Sequence, residues 1–222
     1  MKKIFLFLLV LHFYVFGFAQ VSSYSTSGVD FKFSGVLLED SFSFSQVPRM
    51  SLWLNLSEYY HFDFNPFLGS FVGFGIDNIG YIVEYNAPYN VKVKYRSYMV
   101  SMPIGLKVGD LERKNPTYFY FGGGFSVPFL FKEKIFDGKK KTLVFKEWFS
   151  SRTNFLQPSV FLGYTFPNGM SLKVQYYFEN FMNSDFKTEV NNVTSQPYKH
   201  IIKSNLIAVT LGGSFTHLKK KN

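Results

Sequence analysis

The sequence lacks cysteine altogether, and beyond its first 16 residues it has no long apolar run. The absence of cysteine excludes disulfide bonds, and it excludes a lipid-anchored lipoprotein, whose cleavage site requires that residue. A membrane-spanning helix needs about 20 consecutive apolar residues, so none is predicted after the N-terminal run. Acidic residues are also scarce: 15 Asp and Glu stand against 24 Lys and Arg, giving a net charge of +9.

The N-terminal 19 residues are predicted to be a signal peptide. The basic pair Lys2-Lys3 precedes an apolar run over 4–16, and Gly17-Phe18-Ala19 has the small residues of a cleavage site. The apolar run is too short for a retained helical anchor. Removing residues 1–19 takes away two lysines, so the net charge of the remainder is 22 − 15 = +7.

Aromatic residues are abundant, with 29 Phe and 15 Tyr, and apolar and polar positions alternate after the signal. A period of two places alternate side chains on opposite faces of a strand. The clearest example follows the turn Phe166-Pro167-Asn168-Gly169, whose Asn-Gly pair favours a hairpin. There the apolar set is Leu172, Val174, Tyr176 and Phe178, and the polar set is Lys173, Gln175, Tyr177 and Glu179.

The same alternation predicts eight strands. They cover residues 29–38, 49–65, 67–85, 91–108, 117–131, 157–166, 172–181 and 201–215. Their connections are predicted to alternate between long and short, as in an outer-membrane barrel with both termini in the periplasm. Nothing else in the chain would cover the apolar faces, so lipid is expected to cover them.

The predicted fold is therefore all-β: an eight-stranded antiparallel transmembrane up-and-down β-barrel over residues 29–216. A flexible leader at 20–28 would precede it, and a basic periplasmic tail at 217–222 would follow. The interior of such a barrel is only wide enough for its own side chains, so no open pore is expected.

Six ionisable residues are predicted to face the lumen: Lys32, His61, Asp63, Lys107, Lys173 and Glu179. They are expected to pair in a structural network, because an isolated buried charge is costly. The alternative is a catalytic or proton-relay cluster, since His61 and Asp63 share a face.

A basic segment after the fifth strand is a candidate contact loop for phosphates of lipopolysaccharide or for an acidic partner. Its cations are Lys132, Lys134, Lys139, Lys140, Lys141, Lys146 and Arg152. With three acidic residues in the segment, its charge is 7 − 3 = +4, and Asp137-Gly138 predicts a hairpin tip. A solvated loop without a ligand is the alternative. Nucleic-acid binding, a cofactor and a metal site are not expected.

The predicted function is that of a non-enzymatic structural or accessory component of an envelope assembly or secretion complex, and two other functions are alternatives. An outer-membrane hydrolase acting on lipid A or peptide would need a site at the external rim, where His200 is expected with Asp77, Glu84 or Asp185 as neighbours. No serine is singled out as its nucleophile, so no catalytic residue is predicted. A secreted lipocalin-like carrier would turn the apolar face inward around a ligand.

Four stretches carry a family resemblance: His61-Phe62-Asp63-Phe64-Asn65, Met102 to Lys107, Tyr120 to Gly124, and Phe166 to Gly169. With them the chain resembles the small outer-membrane β-barrel domain family, in particular its PorT-like group. The resemblance implies insertion by the β-barrel assembly machinery, and some members serve the type IX secretion and gliding apparatus. One departure is the tail, since seven residues follow Phe215 whereas the family's last strand ends near the C-terminus.

Overall fold

A computed structural model describes residues 21–113, 116–190 and 193–216. The predicted signal peptide and the basic tail at 217–222 lie outside these described residues. Over the ranges described, no helix is long and apolar enough to cross a membrane.

Most of the described residues belong to strands. In order they are β1 Ser22–Asp40, β2 Phe44–Val47, β3 Arg49–Ser51, β4 Leu56–Asp63, β5 Leu68–Tyr85, β6 Val91–Asp110, β7 Thr117–Asp137, β8 Lys140–Trp148, β9 Gln157–Thr165, β10 Met170–Asn180, β11 Thr188–Val190, β12 Val193–Ser195 and β13 Ile201–Thr216. The short β11 and β12 pair with each other, outside the main sheet.

The main sheet closes on itself through antiparallel pairing of β1 with β13. In the described chain its wall has eight positions, because β2, β3 and β4 together form the second and β8 and β9 the sixth. If one starts at Phe33 in β1 and moves from each residue to its partner in the next strand, one full circuit of the barrel ends at Ser23, again in β1. The strands are therefore staggered by 33 − 23 = 10 residues per circuit. That stagger corresponds to a strand tilt of about 40°. The predicted eight-stranded barrel is confirmed.

Apolar side chains form a belt around the outside of this barrel. Exposed members include Phe31, Phe33, Leu37, Val72, Phe74, Met102, Ile104, Leu106, Phe121, Phe125, Val160, Leu162, Leu172, Val174, Ile207, Val209 and Leu211. A belt of this kind is stable when lipid covers it. Because the apolar face points outward, the lipocalin-like alternative does not fit.

Aromatic residues lie at both rims of the belt. At the end that carries the β7–β8 hairpin, here called the hairpin end, they are Trp53, Tyr98, Trp148, Phe149 and Phe155; at the opposite, turn end they are Phe67, Phe119, Tyr164 and Phe215. Trp53 is 81% exposed, the most exposed of these side chains. Such girdles are typical of transmembrane barrels at the two membrane interfaces.

Within the belt the apolar side chains lie on the outer face of the strands, whereas nearer the hairpin end they lie on the inner face. In β5, Val72 and Phe74 point outward, whereas Ile79, Tyr81 and Val83 point inward and are buried. The change indicates where the surroundings of the wall pass from lipid to water. Above it, inward side chains and residues of the 181–200 segment form an apolar core: Tyr85, Val93, Tyr95, Met99, Phe131, Phe181, Met182, Tyr198 and Leu206 are among its members.

A β-bulge in β7 changes which residues of this strand face outward above the belt. Met99 and Tyr98 of β6 pair with Pro128 and Leu130 of β7, which leaves Phe129 as the extra residue. An extra residue moves the following side chains to the other sequence parity. Lys132 and Lys134 therefore face outward, although the outward positions nearer the turn end are odd-numbered.

Three sequence predictions are corrected here. Residues 22–28 are not a flexible leader, because they belong to β1 and are paired with β4, and from Thr26 also with β13. The first connection, 41–43, is short, because the strands themselves continue beyond the belt. The second wall strand is broken at 52–55, where Leu54 has a φ of 59°. The Asn55 side-chain oxygen accepts from the Asn78 backbone N–H there (2.8 Å).

Close approach of β6 and β7 gives a test of the packing. A Cβ at Gly122 would lie 2.6 Å from Gly105 Cα and against the Ile104 carbonyl, whereas at Gly213 it would meet open space. Gly122→Ala is expected to lower the unfolding free energy by about 1–3 kcal/mol, because a neighbour must move. Gly213→Ala, the control, is expected to stay within about 0.5 kcal/mol of the parent. Urea unfolding in lipid vesicles measures both, and equal effects would contradict the close approach.

Candidate functional site

The lumen near the turn end is organised around Lys107, which is fully buried. Its Nζ lies 2.5 Å from Asp63 Oδ1 and donates to the Tyr24 hydroxyl at 2.8 Å. The ammonium also lies over the rings of Tyr24 and Tyr118, at 4.7 and 5.2 Å. Carboxylate, hydroxyl and ring faces together replace the water that this cation has lost.

His61 is fixed by the same cluster. Lys107 Nζ lies 3.2 Å from His61 Nδ1, and Thr26 Oγ1 lies 3.0 Å from Nε2. An ammonium can only donate, so Nδ1 accepts and the ring proton is on Nε2, which donates to Thr26. Asp63 pairs with Lys107, and the two imidazole nitrogens have Lys107 and Thr26 as their partners. His61 and Asp63 therefore do not form the oriented His–Asp pair that a catalytic interpretation requires.

The remaining lumen charges are also balanced. Lys32 forms a buried ion pair with Asp77, and Lys173 and Asp30 line one cavity of about 50 Å³. The three buried lysines and three buried aspartates of the described chain balance each other, and the further buried cation Arg49 donates to the Asn78 carbonyl at 3.1 Å. A cavity of that size has room for a few water molecules but not for a substrate.

Glu179 is the one predicted lumen residue that the structure places elsewhere. It is exposed, and its Oε1 accepts from Asn154 Nδ2 at 3.2 Å. The pairing of β10 with β13 shifts between Tyr176 and Asn180, and this irregularity ends the alternation on which the prediction depended. Lys32, His61, Asp63, Lys107 and Lys173 are buried in the lumen as predicted.

At the hairpin end, Arg152 holds the 181–200 segment against the hairpin. Its guanidinium lies over the rings of Phe145 and Phe186, at 4.2 and 4.5 Å, and donates to the Tyr198 hydroxyl at 3.2 Å. Tyr198 in turn donates to Glu133 Oε2 at 2.7 Å. Arg152 is therefore a packing residue and not part of an exposed basic contact surface, which corrects the prediction for it.

Seven cations share the outer face of β6, β7 and β8 just above the belt. This basic face consists of Lys92, Lys94, Arg96, Lys132, Lys134, Lys141 and Lys146. Arg96 is directly opposite Lys132, which is directly opposite Lys146. Like charges at such positions repel each other. Burial lowers the pKa of Lys132, and the neighbouring cations, of which Arg96 has the largest effect, lower it further.

Four of the seven predicted contact residues lie on the basic face: Lys132, Lys134, Lys141 and Lys146. Lys139 and Lys140 are exposed at the hairpin tip, beyond it. Sequence reasoning missed Lys92, Lys94 and Arg96. Their signal was present, because the three occupy alternate positions directly before the outward apolar set of the fourth strand.

Two of the three predicted rim neighbours of His200, Asp77 and Glu84, pair with other residues. The His200 Nε2 lies 3.7 Å from Asp40 Oδ2 and 3.3 Å from the Tyr85 hydroxyl. Asp77 pairs with Lys32 in the lumen, and Glu84 pairs with Lys92 outside the wall. Within the described ranges no serine hydroxyl bonds to this imidazole, and no group of three His, Asp or Glu could hold a metal ion.

Breaking the Lys107–Asp63 pair tests the lumen. Lys107→Met is expected to lower the unfolding free energy by about 3–5 kcal/mol, because Asp63 is left as a buried charge. Adding Asp63→Asn should recover part of that loss. Lys203→Met is the control, since Lys203 and Glu39 form an exposed pair at 3.4 Å worth at most about 1 kcal/mol. Urea unfolding in vesicles measures all four proteins, and similar losses for Lys107 and Lys203 would refute the role of the pair.

Glu133 gives the segment 181–200 a pH dependence. Burial raises the pKa of this carboxyl from 4.5, and the Tyr198 hydrogen bond and Arg152 only partly oppose the shift. A raised folded-state pKa means that the folded state holds the proton more tightly. The resulting stability is full below pH 4.5 and is lost as pH rises through the raised pKa. As pH rises from 4.5 through the raised pKa, backbone hydrogen exchange in residues 181–200 should therefore become faster in the parent protein than in Glu133→Gln. Exchange rates that keep a constant ratio between the two proteins at all pH values would contradict the assignment.

Similarity to known proteins is found in the comparison of three-dimensional structures and not in the sequence comparisons. No protein-family model and no curated protein matches the chain. Solved structures similar to it include the outer membrane protein OprG from Pseudomonas aeruginosa, 9% identical over 89% of this chain and 97% of that one, with a TM-score of 0.41. A major outer membrane protein from Thermus thermophilus is 13% identical over 87% and 99%, with a TM-score of 0.41. Ail from Yersinia pestis is 11% identical over 88% and 99%, with a TM-score of 0.33.

Proposed function

We propose that this chain is an integral outer-membrane β-barrel without enzymatic activity, acting as a structural or accessory component of an envelope assembly or secretion complex. The observation that carries the proposal is a closed barrel with an outward apolar belt and an apolar core that closes the lumen toward the hairpin end. The PorT-like resemblance supplies the kind of complex, and it implies insertion by the β-barrel assembly machinery.

The interior argues against transport through the barrel. Toward the turn end, paired charges line the lumen beside a cavity of about 50 Å³ and a pocket of about 330 Å³. Toward the hairpin end, the apolar core closes the lumen with fully buried side chains such as Tyr81, Tyr177 and Phe181. An eight-stranded wall leaves little room beyond its own side chains. What remains for contact with other molecules is the outer wall and the hairpin end.

The orientation proposed here places both termini in the periplasm and the hairpin end outside the cell. Three connections at the turn end, 64–67, 111–116 and 166–169, have the short lengths of periplasmic turns. The hairpin end also has short connections at 41–43 and 86–90, but its strands continue beyond the belt. It carries the long segment 181–200 and the β7–β8 hairpin, which correspond to the external loops of such barrels.

Fractionation and conductance test the proposal. The protein should appear in the outer-membrane fraction, and its gel mobility should change on boiling, because a closed barrel resists detergent unfolding. In planar bilayers it should give no steady conductance, since the core blocks the lumen. Hydrolysis of lipid A or a peptide, lost in His200→Ala, would instead support the hydrolase alternative. A soluble protein without a mobility shift would refute the membrane barrel.

A further inference from the structure

The basic face lies immediately above the aromatic rim. Arg96 is two residues from Tyr98 along β6, and Lys146 is two residues from Trp148 along β8, a rise of about 7 Å in each case. The Arg96 guanidinium lies 5.8 Å from the Tyr98 ring, and Lys146 Nζ lies 5.8 Å from the Trp148 ring. Aromatic rims mark the membrane interface, so the cations lie at the level of lipid headgroups.

Little negative charge on this protein balances the face. Glu84, paired with Lys92, is the acidic residue in contact with it among the residues described, which leaves a local charge of 7 − 1 = +6. Glu133 points inward to Tyr198, and Glu147 is bound to Arg152. Opposed cations in neighbouring strands cost stability unless an anion lies between them.

We propose that the basic face binds phosphate groups of glycolipid headgroups in the leaflet at the hairpin end. This rests on the proposed function, because it requires the barrel to lie in the outer membrane with that end outward. Directly opposed side chains are about 5 Å apart, so the row Arg96, Lys132 and Lys146 brings three cations to one phosphate cluster. Arginine binds phosphate in a bidentate manner, and lysines add point charges beside it.

The direction of the face favours lipid over a soluble polyanion. These side chains project from the outer wall of the sheet, so they point sideways over the surrounding lipid and not away from the membrane. The lysines at the hairpin tip, Lys139 and Lys140, are placed to meet soluble molecules. The two groups can therefore be tested against each other.

The test uses the full-length mature barrel in detergent micelles with lipid A as the probe. The face variant is Lys132→Gln/Lys134→Gln/Lys146→Gln, and the control Lys139→Gln/Lys140→Gln/Lys199→Gln removes the same charge from exposed positions off the face. We expect the dissociation constant for bisphosphorylated lipid A to rise roughly 10- to 100-fold in the face variant. The control should change by less than about threefold, and dephosphorylated lipid A should bind all three proteins equally weakly.

Equal weakening in both variants, or unchanged binding of dephosphorylated lipid A, would overturn the proposal. Tighter binding of soluble dextran sulfate than of lipid A, lost in the face variant, would reassign the face to a soluble polyanion. Boiled and unboiled gel mobility is recorded for each variant, so that failure to fold is recognised. A barrel that shifts on heating but binds no lipid A would refute only this inference, whereas a protein without the shift would refute the proposed function.

Discussion

The structure depends on one constraint: inside a bilayer no water can pair with backbone N–H and C=O groups, so the sheet must have no open edge. The first and last strands meet this constraint directly, through continuous pairing from Thr26–Thr216 to Glu39–Lys203. Where the second wall strand breaks at 52–55, side chains take over the missing hydrogen bonds. Arg49 donates to the Asn78 carbonyl at 3.1 Å, and Asn55 accepts from the Asn78 N–H at 2.8 Å.

Closure with eight strands in turn decides what the interior can contain. Its small radius brings lumen side chains into contact, so each buried lysine and aspartate has an opposite charge within reach or shares a small cavity with one. Lys107 shows how far this goes, since a carboxylate, a hydroxyl and an imidazole surround one ammonium. The same crowding limits the cavity that His61 lines to about 50 Å³, and it favours interactions with other molecules at the outside of the wall.

The sequence predicted the belt well, because alternation such as Leu172, Val174 and Tyr176 depends only on strand geometry and on lipid outside. It failed where the pattern is locally interrupted: Glu179 follows an irregularity in pairing, and the short polar residues of 22–28 do not alternate in hydrophobicity although they are paired. The basic face was found in part, since Arg96 is 36 residues before Lys132 and only the pairing of β6 with β7 brings them together. The aromatic core at the hairpin end was missed, because inward Tyr81 has the same sequence signal as an outward residue.

The change of face along β5, β6 and β7 also fixes how deeply the protein sits in the membrane. Sinking toward the turn end by one pleat would carry Arg96, Lys132 and Lys146 toward hydrocarbon, where a cation costs about 2–4 kcal/mol at the midplane and less near the surface. Rising by the same step would lift Met102 and Ile104 toward water. Moving the barrel in either direction along the membrane normal therefore costs free energy, by burying cations in one direction and by exposing apolar side chains in the other. The barrel is thus held at a defined depth in the bilayer.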